Sequence, residues 1–127
     1  MKVDILTLCD SANEYNGKLV IVGTFNTINA KSFPITSPGF AIVARVLFED
    51  DVKDKHQVTL EIRDKRGISI IPPMASEVST PKDKTPSSFI HLIYKGANIT
   101  IPSEGEYNVV VTIDGIEFST DLLAVLK

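Results

Sequence analysis

The sequence predicts an all-β protein, an antiparallel β-sandwich with about seven to nine strands. Three observations carry that expectation. Apolar residues recur with period two or in short unbroken runs, and almost nowhere at helical spacing. Turn signals cut those runs at short intervals: Asn16-Gly17, Lys65-Arg66-Gly67, Gly96-Ala97 and Asp114-Gly115. No self-similarity at a period of roughly 20 to 50 residues is visible, which removes solenoids and propellers.

Each element follows from its own residues. Val3 to Cys9 reads as a first strand, and Asp10 to Glu14 as a polar connection in which Asp10 or Ser11 can cap one helical turn. Asn16-Gly17 is a turn pair tolerant of positive φ, and Lys18 to Phe25 follows as a second strand. Gly23 within it has no side chain to pack and marks a bulge or a close backbone approach. Ser32 to Gly39 is a loop, since Pro34 and Pro38 cannot donate to a ladder.

Phe40 to Phe48 is the most apolar stretch. One face carries Phe40, Ile42, Ala44, Val46 and Phe48, the other Ala41, Val43, Arg45 and Leu47. Apolarity on both faces implies a central strand whose outer face is covered by a loop, a ligand or another chain. The loop around Phe33 and Ile35 is the internal candidate for that cover. Glu49 to Lys55 is a charged loop, and His56 to Asp64 alternates with Val58, Leu60 and Ile62 inward. Ile68 to Ile71 starts a short strand that Pro72-Pro73 ends, Thr80 to Pro86 is a polar loop, and Ser87 to Lys95 is strand-like. Glu106 to Ile113 puts Tyr107, Val109, Val111 and Ile113 on one face, and Asp114-Gly115 returns the chain along Ile116 to Leu126.

Composition bounds the function. The 127 residues make one domain, 1–127, long enough for a real core; 43% are hydrophobic and 23% charged, as in ordinary globular chains. A net charge of −3 argues against a dedicated nucleic-acid binder, whose phosphate contacts need clustered Lys and Arg. Asp4 interrupts any signal-peptide pattern, and no run of about twenty apolar residues exists to span a membrane. With one cysteine and no export signal, a reducing, cytoplasmic location is expected.

Candidate chemistry is sparse. Cys9 stands beside Asp10, which disfavours a thiolate, and the alternation groups it with Val3, Ile5 and Thr7 as a buried packing residue. His56 reads as a solvated loop histidine and His91 as a sheet histidine; no Gly-x-Ser-x-Gly, His-Glu-x-x-His or Cys-x-x-Cys pattern accompanies either. The Glu49–Lys55 loop is acidic, but Lys53 and Lys55 interleave its carboxylates and weaken it as a calcium site. A buried Arg45 needs a carboxylate, with Asp10 and Glu61 the candidates. No catalytic, cofactor-binding or metal-ligating residue is assigned, and no buried Asp-His pair of a hydrolase is advertised.

Two resemblances follow from these residues. Pro102-Ser103-Glu104-Gly105-Glu106-Tyr107 before an alternating strand resembles the corner of immunoglobulin-like domains in which a tyrosine bonds to upstream backbone. Leu8-Cys9-Asp10, Gly17-Lys18-Leu19, Gly23-Thr24-Phe25, Ser32-Phe33-Pro34, Arg45, Gly105-Glu106-Tyr107 and Asp114-Gly115 together resemble a family of small bacterial proteins of unknown function. That resemblance implies a β-sandwich and carries no activity, cofactor or site residue. The expectation is a non-enzymatic module that associates with itself or a protein partner, with a module binding a small ligand or carbohydrate through loops at one end as the alternative.

Overall fold

The computed structural model describes residues 1–37, 39–48, 54–80, 88–96 and 98–127. Among them are eleven strands, numbered in chain order, and no helix. The all-β expectation holds. No helix among these residues is long and apolar enough to cross a membrane.

A four-stranded antiparallel sheet has the order β2 (Lys18–Phe25), β1 (Lys2–Tyr15), β5 (Ala41–Phe48), β8 (Ser88–Lys95). A five-stranded sheet has the order β3 (Thr27–Ala30), β11 (Ile116–Leu126), β10 (Gly105–Ile113), β6 (Lys55–Arg63), β7 (Met74–Ser79). β4 (Ile35–Ser37) pairs with β9 (Ile99–Ile101) as a separate ribbon. β3 runs parallel to β11, so the larger sheet is mixed rather than purely antiparallel as expected.

The strand count exceeds the expectation for identifiable reasons. β3, β4 and β9 have three or four residues each, too few for alternation to register. β4 lies inside the segment read as a loop between Pro34 and Pro38. β7 carries only one half-buried residue, Val78, so it shows no apolar period. Conversely, the strand expected at Ile68–Ile71 reduces to a single bridge between Arg63 and Ser69.

Asp10–Glu14 is not a polar connection. β1 runs on through Tyr15, because Asn16 and Gly17 make the reversal alone, at φ 52° and 75°, and set Tyr15 opposite Lys18. His56 stands near the start of its strand, β6, as expected, but it is fully buried rather than solvated. Residues 49–53 of the acidic loop and 81–87 of the second polar loop lie outside the described residues.

One core joins the two large sheets. Leu8, Phe40, Ile42, Ala44, Val46, Phe48 and Leu92 meet Val58, Leu60, Ile62, Tyr107, Val109, Val111, Ile113 and Leu122 in a single cluster. These are the inward sets that period two predicts for β5, β6 and β10. Burying each large aliphatic side chain contributes about 1.5–3 kcal/mol. Tyr107 Oη donates to the Ser103 carbonyl at 2.6 Å, the backbone bond its corner motif predicts.

The outer face of the four-stranded sheet is covered from within the chain. Cys9, Ala12, Ala41 and Val43 are buried in a second cluster against Leu19, Ile21 and Ile93. β5 lies between β1 and β8, yet Glu14 reaches His91 at 3.2 Å and Asn13 accepts from Lys95 Nζ at 3.1 Å. The distal half of the β1–β2 hairpin therefore bends across β5. Phe33 and Ile35, the expected cover, pack against the main core instead.

The bend is written in Gly23. Its φ is +68°, and a Cβ there would sit 2.4 Å from Asp10 Oδ2. Only glycine accepts that backbone and that approach at once. Val3 also differs from the expected pattern: a register shift between Val3 and Ile5 turns Val3 to the main core, leaving Ile5 and Thr7 with Cys9 on the outer side.

Candidate functional site

The residues nominated from sequence resolve first into structural roles. Cys9 is 0% exposed; burial pushes its thiol above the ordinary range, Asp10 adds to that, and a backbone hydrogen bond involving Ser11 opposes it. That is an inert packing cysteine.

His56 and Asp114 come together across 58 positions of sequence, an Asp-His pair that the sequence did not advertise, with the imidazole buried and the carboxylate partly exposed. His56 Nδ1 and Asp114 Oδ2 are 2.6 Å apart. Phe48 stacks on the imidazole with centroids 4.0 Å apart. Asp114 Oδ1 accepts from Gln57 N at 3.0 Å, and Asp114 N donates to Gln57 O at 2.9 Å. With the imidazole 0% exposed, the pair clamps the start of β6 to the β10–β11 turn rather than facing a substrate.

Arg45 takes neither expected partner. Its Nε lies 3.5 Å from Asp4 Oδ1, and its guanidinium stacks over Phe89 at 3.7 Å from the ring centroid. Glu61 is committed to Arg63. His91, half-buried, pairs with Glu14 and pins the folded-over hairpin. Among the described residues no group of three or more His, Cys, Asp or Glu side chains is placed to hold a metal ion.

Two surface features remain open. The first is β2, an edge strand. Its Val20 and Val22 are 42% and 55% exposed on one side, and it has no charge between Lys18 and Phe25. Natural edges are usually blunted by inward charges, proline or bulges; here only Gly23 interrupts, leaving Lys18–Val22 as an unbroken run.

The second is a groove of about 660 Å³ on the outer face of the five-stranded sheet. β10 supplies Glu106, Asn108 and Val110, β11 supplies Glu117, Ser119, Asp121 and Leu123, β6 supplies Arg63, and Asn26 and Thr27 close one side. Ladder register sets Arg63, Asn108 and Asp121 directly opposite one another on three adjacent strands. Arg63 Nη2 donates to Glu61 at 2.8 Å and to Glu117 at 2.7 Å, which raises the guanidinium pKa further and lowers that of Glu117. The guanidinium is thereby held in one orientation. Sequence reasoning placed Arg63 on the outer side of its strand, but nothing in the sequence joins it to Asn108 and Asp121.

No curated protein matches the chain. Residues 4–125 match the model of a family of unknown function, DUF6941, and with nearly its whole length inside that match the chain belongs to this family.

Proposed function

We propose that this protein is a non-enzymatic, cytoplasmic binding module that works by association, with a second copy of itself or as an accessory to a larger assembly. The observation carrying the reading is the open β2 edge with Val20 and Val22 exposed beside it. An extended strand from another chain extends such a sheet by main-chain hydrogen bonds, while valines on one side supply apolar contact. We read the architecture as a β-sandwich of immunoglobulin-like kind, on the shared core and the Tyr107 corner bond. The buried Cys9 thiol and the buried His56 imidazole favour binding over catalysis.

Two-sided apolarity of β5 no longer supports association, because the chain's own hairpin covers Val43. The edge carries the reading alone. Light scattering on a size-exclusion column, run from micromolar to about 1 mM, tests it alongside affinity capture from native lysate. The expected result is a dimer, or a stoichiometric partner, that Val22→Lys abolishes without changing the melting temperature. A monomer throughout, with the same captured proteins for both variants, overturns it. A second reading, small-ligand binding, draws on the groove, which lies on a sheet face rather than among loops at one end as expected.

A further inference from the structure

We propose that the groove on the five-stranded sheet is a binding site for a neutral, polyhydroxylated ligand, an oligosaccharide. This does not rest on the β2 edge, which belongs to the other sheet.

Arg63, Asn108 and Asp121 form one row across three strands, and Glu61, Val110 and Ser119 form the next. Neighbouring strands lie about 4.8 Å apart, so the head groups of a row are spaced at about the width of one hexose ring. The side chains of Asn108, Ser119 and Asp121 have no hydrogen-bond partner among the described residues. Arg63 spends only Nη2 on Glu61 and Glu117, which leaves Nε and Nη1 as oriented donors.

That inventory selects a chemistry. Asp121 accepts, Arg63 donates, and Asn108 and Ser119 do both. Hydroxyl groups are each donor and acceptor, so a sugar satisfies all four without adding charge. An anion meets Asp64, Glu106, Glu117 and Asp121 around the rim, four carboxylates against Arg63 and Lys65. A cation meets the Arg63 guanidinium at the β6 end of the row. Neither sign suits the whole surface, and a neutral ligand does.

Leu123, 40% exposed, supplies the apolar patch on which the C–H face of a ring rests. Val110, buried at the centre of the second row, floors the groove. With no aromatic platform in the lining, affinity for a short oligomer is on the order of millimolar, a weak class in which multivalent ligands gain by avidity.

The test is an amide chemical-shift titration of the full chain with neutral trisaccharides of glucose, galactose and mannose. A glucuronic-acid oligomer, a glucosamine oligomer and a lysine-rich peptide serve as charged competitors. The expected result is saturable shifts from at least one neutral sugar at Asn108, Ser119 and Asp121. Asp121→Ala and Asn108→Ala should each weaken it roughly tenfold, as the loss of one hydrogen bond implies. Their melting curves should stay unchanged, since both side chains are exposed and unpaired in the fold. Three outcomes overturn the proposal: no shift from any neutral sugar, shifts that map away from these residues, or shifts confined to the anionic, amino-sugar or peptide ligands.

Discussion

Asp10 and Gly23 carry the sharpest single-residue constraint. Gly23→Ala adds a positive-φ penalty to a collision with the Asp10 carboxylate, a loss of about 1–3 kcal/mol. Asp10→Ala removes the collision and leaves the φ penalty, so urea denaturation of the double variant should recover part of the loss and no more. At Cys9 the folded thiol holds its proton more tightly than the unfolded one. Its contribution is present below the ordinary thiol pKa and fades as pH rises through the folded value. At neutral pH an aromatic disulfide reagent should label Cys9 only as fast as the protein unfolds; rapid labelling of folded protein would show the thiol to be accessible. Glu117 has the opposite sign: its hydrogen bond with Arg63 lowers its pKa, so the pair stabilises above the ordinary glutamate range and is lost as pH falls through the lowered value. Glu117 is exposed, so solvent screens the gain. A carboxyl-carbon titration should show its midpoint below an ordinary glutamate and restored by Arg63→Gln. That Cys9 packs rather than reacts was legible from its neighbours; that Glu117 serves to orient Arg63 was not, because 54 residues separate them.

Two elements depend on contacts remote in sequence. The β10–β11 turn was plain in Asp114-Gly115, yet Asp114 does more than turn: it holds the buried His56 and the Gln57 amide. Asp114→Ala leaves a buried imidazole nitrogen without its partner and should cost about 1–3 kcal/mol. In a double-mutant cycle with His56→Phe, the expected outcome is strong non-additivity, since the two side chains are one contact. Additive losses would separate the clamp from the turn. The β1–β2 hairpin is the second case. Val43→Glu places a charge under it, on a residue 0% exposed in the single chain, and should destabilise by about 3–5 kcal/mol at any protein concentration. A destabilisation that vanished on dilution would mean that a second copy, not the hairpin, covers that face.

At the scale of the whole molecule, the two large sheets leave four edge strands, β2, β8, β3 and β7. Phe25 and Thr27 flank a single residue, Asn26, as the chain passes from the edge of one sheet to the edge of the other, so β2 and β3 are one path turning a corner. The sequence by itself determined the all-β class, the inward faces of β5, β6 and β10, the two hairpin turns and the Tyr107 corner, because period two and turn chemistry act over a few residues. Only tertiary structure decided what lies on the far side of those strands. A strand apolar on both faces requires a second cover but does not name it; a bend at Gly23, fixed by Asp10 from the neighbouring strand, supplied the hairpin. The polar row Arg63–Asn108–Asp121 and the His56–Asp114 clamp exist only through strand order and register, and these are set by global packing, which local pattern cannot encode.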